Sequence, residues 1–387
     1  MHSASVDIAI VNYRSAHDTL GAIARLAQWP HGRVWLVDNS AHESDMHDES
    51  ALLRQAVATM PWVTLLNPGA NLGFGRACNL AFEQSDAEFF LLLNPDARIA
   101  QQDLMRMLQY MQGNPSLGAV SPRLFWNAQR SFMLPAAFPQ SPWYSLALAL
   151  ATRVRPLARW AAKRGLQRAM RQMASQSPFE VGCLAGAVML LRRSAVLSAG
   201  GLFDPDYFMF FEDTDLSLRL RRAGHALALV PAASAVHEYR HRASKGPLMA
   251  HSQLQFFRKQ HPFFFRLSDG LRRMSTLQRP MALEHWYRVL AQPLTSAADF
   301  ARQSEGARVL AFSPAALLMP ALFRPLGEAP RPFDEDEWAL LEPARYTALA
   351  LSDDPDPRLL WLCFERAPDA GTHPAACAPA TAGLLSA

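Results

Sequence analysis

Over the first 112 residues, four short apolar runs alternate with segments of helical periodicity: DIAIVN before 16–28, VWLVD before 48–59, VTLL before 75–84 and FFLLL before 101–112. Runs this short suit buried strands, and strand–helix alternation builds βαβ units on a mostly parallel sheet. Ligands of such α/β sheets bind beyond the carboxyl ends of the strands. The residues to inspect are therefore Asn12 and Tyr13, Asp38 and Asn39, Asn67 to Asn71, and Asn94 to Asp96. Every one of these ends carries Asn, Asp or Tyr, which packing alone does not require.

A second apolar stretch, GCLAGAVMLLRR, leads into the loop GGLFDPDYFMFFEDTD, a helix over about 214–223 and the strand-like ALALV. A helix over 247–260 is expected to close this domain. Between the two halves, from Ser141 to Phe179, lie Arg153, Arg155, Arg159, Lys163, Arg164, Arg168 and Arg171 with no acid among them. They alternate with Leu157, Trp160, Leu166, Met170 and Met173, the pattern of a basic, partly amphipathic helical insert. A solvated helix is the default reading. A nucleic-acid surface lacks any accompanying motif, so no nucleic-acid partner is expected. A third reading is a peripheral patch for anionic membrane through 153–173, with Trp160, Met170 and Met173 entering the interface.

With 387 residues, half of them hydrophobic, the chain can bury at least one large core. The expected division is a first domain over 1–265 that includes the basic insert, an accessory region of α+β character over 266–368, and a flexible Pro-rich tail over 369–387. In the accessory region the sequence predicts a helical stretch over 284–300, strands at RVLAF, YTALALS and LLWLCF, and no chemistry. The N-terminus has no basic segment followed by a long apolar core, and no apolar run approaches the roughly 20 residues of a membrane span. A cytoplasmic protein is expected, or one peripheral at the inner face of the membrane. Cys78, Cys183, Cys363 and Cys377 lack metal-ligand spacing and read as buried free thiols.

An acid ending the second strand, Asp38, raises the possibility of a dinucleotide-binding dehydrogenase, which needs a Gly-rich turn after strand one. That turn is NYRSAHD and contains no glycine. A P-loop is absent too, so a metal ion is the expected holder of phosphates. Such an ion takes one or two carboxylates and completes its shell with phosphate oxygens and water. Asp96 follows the apolar FFLLL, with Pro95 fixing the turn and Asn94 offering an amide oxygen. Taken alone, an Asp there is a turn residue. In FMFFEDTD, Glu212, Asp213 and Asp215 open a helix. N-capping and complementarity to the helix dipole account for Asp215, but not for an adjacent Glu-Asp pair whose like charges push a pKa up. A carboxylate positioned to take a hydroxyl proton is the functional reading.

IVNY, VDNS, NLGFGRACN, LLLNPDA, LAGAVMLLRR, GGLFDPDYFMFFEDTDLSLRLRRAG and HEYRHRASK occur in this order over roughly 6–261. Together they resemble family-2 glycosyltransferases of the rhamnosyltransferase-like branch. The resemblance implies a GT-A fold, inversion at the anomeric carbon, a nucleotide-sugar donor and a glycan or lipid-linked glycan acceptor. It implies that Asp38 accepts the pyrimidine N3–H while Asn12 and Tyr13 line the nucleotide pocket. Asn71, Gly73 and Asn79 match the loop beside the nucleotide-sugar. Asp96 matches the last position of the metal turn for Mg2+ or Mn2+, Asn94 stands where many relatives have an acid, and His237 matches a histidine that completes the metal site. Asp213 matches the catalytic base, with Glu212 its acceptor-side partner. Arg76 replaces a small residue and is either a diphosphate contact or a solvated helix residue. Cys183 stands where relatives often carry an aromatic residue near the acceptor. A sugar-phosphate nucleotidyltransferase would share the sheet but needs a Gly-rich triphosphate loop absent from IVNYRSAHD, and a non-catalytic scaffold would not need Glu212 and Asp213.

Overall fold

The computed structural model describes residues 5–26, 32–40, 42–137, 140–151, 153–238, 246–266, 283–315, 318, 321–324 and 331–368. Packing divides the chain into two units: Met1–Leu124, Ala136–Pro139 and Ser175–His237 form the first, and Phe125–Pro135, Gln140–Ala174 and Glu238–Ala387 the second.

The first unit begins β1 (Val6–Asn12), α1 (Ala16–Arg25), β2 (Val34–Asp38), α2 (His47–Val57), β3 (Val63–Leu66), α3 (Gly73–Glu83) and β4 (Phe89–Leu93). β5 (Ala97–Ile99), α4 (Gln101–Gln112) and β6 (Leu117–Phe125) follow. β1 pairs in parallel with β2 and β4, and β2 with β3, giving the order β3-β2-β1-β4. β1 and β4 are buried along their whole length, as central strands of a parallel sheet must be. Side chains such as Ile8, Ile10 and Leu91 are fully buried, each stabilising by roughly 1.5–3 kcal/mol.

After β7 (Met133–Leu134), α5 (Pro142–Ala151) and α6 (Arg155–Ala174), the first unit resumes with β8 (Phe179–Glu180), β9 (Val188–Arg192), α7 (Arg193–Ser198), α8 (Glu212–Arg222) and β10 (Ala226–His237). β9 runs antiparallel to both β4 and β6. β10 pairs antiparallel with β5 and β8, setting His237 opposite Ala97. This parallel half-sheet extended by antiparallel strands is the α/β GT-A arrangement. Of GCLAGAVMLLRR only Val188–Arg192 is strand, because upstream backbone donors serve side chains: Leu184 N–H binds Ser217 Oγ at 3.2 Å and Gly186 N–H binds Asp213 at 3.0 Å.

In the second unit β14 (Arg345–Leu351) lies antiparallel between β12 (Arg308–Ser313) and β15 (Leu359–Glu365). β11 (Arg288–Val289) extends the β15 edge and β13 (Leu322–Phe323) the β12 edge. The three long strands stand where RVLAF, YTALALS and LLWLCF predict them. The helix expected over 284–300 does not form. That segment is a single turn at Leu283–His285, then β11, then a helix at Ala297–Gln303. Leu290 N–H pairs with Cys363 O, Pro293 has no N–H to continue a helix, and the Ser296 side chain caps the next helix at Asp299 N–H. The core is aromatic, with Phe132 and Phe312 edge to face at 4.9 Å.

The basic insert is helical as expected. α6 buries Ala158, Ala162, Gly165, Ala169 and Met173 and exposes Trp160 and Met170. Met173 therefore belongs to the packed face, a correction to its expected place at a membrane interface. By packing, the insert and α9 (Gly246–Gln260) group with the second unit. The tail over 369–387, Cys377, and HEYRHRASK beyond Glu238 lie outside the described residues.

Candidate active site

The carboxyl ends of β1 and β2 meet with Asn12 opposite Asp38. Asn12 Nδ2 donates to Asp38 Oδ1 at 2.9 Å and to Ser40 Oγ at 3.1 Å, while its Oδ1 accepts from Ser15 and Thr19. Asp38 Oδ1 also accepts from Ser40 N–H and Oγ, and Oδ2 accepts from Ser50 Oγ at 2.7 Å. These donors make Asp38 a buried, oriented carboxylate with lone-pair capacity remaining chiefly on Oδ2. Ser50 in this network is not signalled by any motif, since it lies twelve residues on, in α2. Tyr13 is exposed beside Arg14, whose guanidinium lies 5.9 Å from the ring and pairs with Glu43.

Asn39 and Asn71 shape the turn into α3. Asn39 Nδ2 donates to Gly73 O at 2.9 Å, and Asn71 Oδ1 accepts from Gly73 N–H at 2.9 Å. Gly73 has φ +76°, and a Cβ there would stand 2.1 Å from the Phe208 carbonyl oxygen. The adjacent Phe74 N–H donates to that same oxygen at 2.9 Å. Asn79 grips Phe203 from both sides, Nδ2 to its carbonyl at 2.7 Å and Oδ1 from its N–H at 2.9 Å. Arg76 Nε donates to Pro205 O at 2.6 Å, so this guanidinium is tied to the 201–211 loop rather than freely solvated. Asn79 and Arg76 thus brace the loop that leads into α8.

At the end of β4, Asn94 N–H binds Ala187 O and its own carbonyl accepts from Ala97 N–H, closing the turn. The pairing of β5 with β10 then brings Asp96 Oδ1 within 3.3 Å of His237 Nε2, although 140 residues separate them. Asn94 Oδ1 is buried with no hydrogen-bond partner. Among the described residues no three His, Cys, Asp or Glu side chains converge as a ligand set. An Asp–His pair with a nearby orphan amide oxygen suits a hard cation whose remaining ligands are phosphate oxygens and water.

Phe210 and Phe211 hold φ of 70° and 67° immediately before α8. Left-handed backbone at consecutive bulky residues is a strained conformation of the kind found at functional sites. It delivers Glu212 and Asp213 to the first turn of α8. Asp213 Oδ2 accepts from Gly186 N–H at 3.0 Å, and Oδ1 from Thr214 N–H at 2.6 Å and Thr214 Oγ1 at 3.2 Å. Desolvation raises its pKa and these donors oppose the rise. Glu212 is buried, and desolvation with the nearby Asp213 charge pushes its carboxyl up to about 8. Its Oε2 has no partner. Burial and the neighbouring charge thus favour the neutral form of Glu212, while the hydrogen-bonded Asp213 is the better anion.

Asp215 lies in the first turn of α8, where an acid complements the helix dipole as expected, but it does not cap the helix, which corrects that half of the expectation. It is fully buried and pairs with Arg219 Nε one turn on at 2.7 Å. Arg219 then donates to the carbonyls of Ala199, Gly201 and Leu202. Capping was excluded by the left-handed residue at Phe211, which itself occupies the N-cap position. Cys183 Sγ lies 3.9 Å from Thr214 Oγ1, and burial pushes its thiol up to about 12, making it an unreactive neighbour of Thr214. Cys78 and Cys363 are likewise free and buried.

Residues 3–261 match the family described as glycosyltransferase like family 2. Over 243 residues the chain is 30% identical to the N-acetylglucosaminyl-diphospho-decaprenol L-rhamnosyltransferase of Mycobacterium tuberculosis, a match covering 54% of this chain and 72% of that protein. Over 203 residues it is 28% identical to rhamnosyltransferase WbbL of Escherichia coli, covering 50% of this chain and 70% of that one. Among solved structures, mannosyltransferase PcManGT from Pyrobaculum calidifontis, in complex with GDP-Man and Mn2+, superposes with a TM-score of 0.45 at 17% identity, over 67% of this chain and 65% of that one. With two thirds of its length matched to one family, the chain belongs to glycosyltransferase family 2.

Proposed function

We propose that the protein transfers a deoxyhexose, rhamnose or a close analogue, from a nucleoside diphosphate to a glycan or lipid-linked glycan, with inversion. The observation that carries this reading is the unequal pair at the start of α8: Asp213 fixed by three donors, and Glu212 buried beside it with an unpartnered oxygen and a carboxyl pushed toward its neutral form. Two carboxyls driven to different protonation states divide the labour of one site. Asp213 takes the proton of the acceptor hydroxyl as its oxygen attacks the anomeric carbon, and Glu212 hydrogen-bonds the acceptor and holds it in line. A single displacement inverts the configuration and forms no bond to the enzyme. Asn12, Tyr13 and Asp38 take the nucleoside, and the turn through Asn71 and Gly73 closes over the donor.

Asp96 and His237, with Asn94 Oδ1 nearby, are the residues suited to hold Mg2+ or Mn2+. Such an ion, when bound, offsets the charge on the departing diphosphate. Both curated relatives are named as rhamnosyltransferases, and one is named for an N-acetylglucosaminyl-diphospho-decaprenol acceptor. They support the choice of sugar and of a lipid-linked acceptor. No helix among the described residues is long and apolar enough to cross a membrane. The exposed Trp160 and Met170 on basic α6 support contact with an anionic bilayer surface instead.

The deciding experiment is Asp213→Asn. Transfer is expected to fall by at least about a thousandfold, within the range for loss of a general base, while the thermal shift produced by the nucleotide-sugar is retained. Turnover near wild type would remove Asp213 from the mechanism.

A further inference from the structure

The second unit contains a cavity of about 590 Å3 lined by the first turns of α6, the 284–288 segment and the start of β15. Its walls include Arg155, Arg159, Glu284, Trp286, Arg288 and Trp361. This volume falls within the usual range for small-molecule sites.

The buried polar groups left without partners here are both donors. Trp286 is only 7% exposed, and its indole Nε1–H is buried with no acceptor. Arg159 Nε is likewise buried and unpartnered. Indole and guanidinium N–H groups cannot accept, so the missing partner must bring oxygen acceptors. Arg155 and Arg159 have no carboxylate at ion-pair distance among the described residues, whereas Arg288 is paired with Glu305 at 2.8 Å. Two guanidinium groups without carboxylate partners, Arg155 and Arg159, therefore line the cavity with one acid, Glu284, which favours an anionic ligand. The Arg159 guanidinium lies 6.0 Å from the Trp361 ring centroid, so charge and an aromatic face occur together. A sugar ring can lay its C–H face on an indole while hydroxyls reach Glu284. A phosphate offers oxygens to Arg155, Arg159 and the Trp286 N–H.

We propose that this cavity is a second ligand site that holds a phosphorylated saccharide. The assignment rests on the cavity and its unpartnered donors and is independent of the catalytic reading of the first unit.

Isothermal titration of the full chain with glucose 1-phosphate, inorganic phosphate and glucose tests it. Glucose 1-phosphate is expected to bind with a Kd below about 1 mM, more tightly than inorganic phosphate, with glucose weakest. Arg155→Gln/Arg159→Gln is expected to weaken glucose 1-phosphate at least tenfold. Trp286→Phe, which keeps the ring and removes the N–H, is expected to weaken it severalfold and serves alone if the double variant loses its native circular dichroism. Asp96→Ala is expected to bind as wild type, which separates this site from the first unit. Inorganic phosphate binding as tightly as glucose 1-phosphate would overturn the saccharide half of the proposal. Full affinity in both Arg155→Gln/Arg159→Gln and Trp286→Phe, loss of binding in Asp96→Ala, or no heat up to about 10 mM ligand would overturn the whole.

Discussion

Asp96 Oδ1 and His237 Nε2 stand 3.3 Å apart because β5 and β10 pair in a register that sets His237 opposite Ala97. A metal held there depends on both side chains and on the diphosphate. Chelation with EDTA is expected to abolish transfer and addition of Mn2+ or Mg2+ to restore it. Asp96→Ala and His237→Ala are each expected to lower kcat by roughly a hundredfold or more at fixed metal, the several kcal/mol of charge stabilisation such an ion supplies. Activity insensitive to EDTA and to both substitutions would exclude the pair as ligands.

Glu212 gives a pH signature of stability. Its carboxyl titrates at about 8 in the folded chain against 4.5 for the free group. Between those values the folded state holds a proton that the unfolded state has released, so stability falls as pH rises across the window. Glu212→Gln cannot ionise. Its Tm is expected to decline less than wild type between pH 5 and pH 8, by several degrees. Parallel Tm curves for the two proteins would contradict the raised pKa.

Two glycines with nearly the same φ separate strain from contact. Gly69 has φ +72° with open space around its Cβ position, and Gly73 has φ +76° with the Phe208 carbonyl 2.1 Å from that position. Gly69→Ala is expected to cost about 1 kcal/mol from the left-handed backbone alone. Gly73→Ala is expected to cost about 2 kcal/mol more, within the range for overpacking. Urea denaturation measures both, and equal losses would show that the contact yields freely.

In the second unit Arg324 and Glu337 form a buried ion pair at 3.1 Å, with the guanidinium also 4.2 Å from the Phe132 ring centroid. Removing the Glu337 charge leaves the guanidinium buried without its carboxylate, and removing the Arg324 charge leaves Glu337 with only the longer contact to Arg331 at 3.6 Å. Arg324→Met or Glu337→Gln is expected to destabilise by about 3–5 kcal/mol, and the double variant Arg324→Met/Glu337→Met by less than either. A double variant as unstable as the sum of the singles would refute the coupling.

Sedimentation with vesicles tests the membrane reading. Binding to phosphatidylserine-containing liposomes at low salt is expected to weaken in Arg164→Glu/Arg171→Glu, at about 1 kcal/mol per basic residue removed, and in Trp160→Ser. Absence of wild-type binding at low salt would dismiss a membrane role for α6.

The parallel half of the sheet was legible because each strand there is a short, wholly apolar run flanked by helical periodicity. The places of Asn12, Asp38, Asn94 and Asp96 at the carboxyl ends of strands were legible because each ends or follows an apolar run. Less was visible where backbone groups bind side chains distant in sequence. GCLAGA looks like strand, yet its donors serve Ser217 and Asp213. Asp215 looks like a cap, yet the left-handed Phe211 takes that place and Asp215 pairs inward with Arg219. Met173 looks amphipathic with Trp160, yet it ends a face of small residues that pack. The aromatic core of the second unit draws Trp126 and Phe132 from a point far upstream of its main strands, and local periodicity cannot announce such a partnership.

The contact of Gly73 with Phe208 ties the turn before α3 to the loop before α8 through one shared carbonyl oxygen. Asn79 and Arg76 repeat the tie at Phe203 and Pro205. The turn before α3 and the segment that delivers Asp213 are thus a single mechanical part. A chimaera made to change sugar preference has to import both segments from the same parent, since either one alone arrives without the surface that gives it shape.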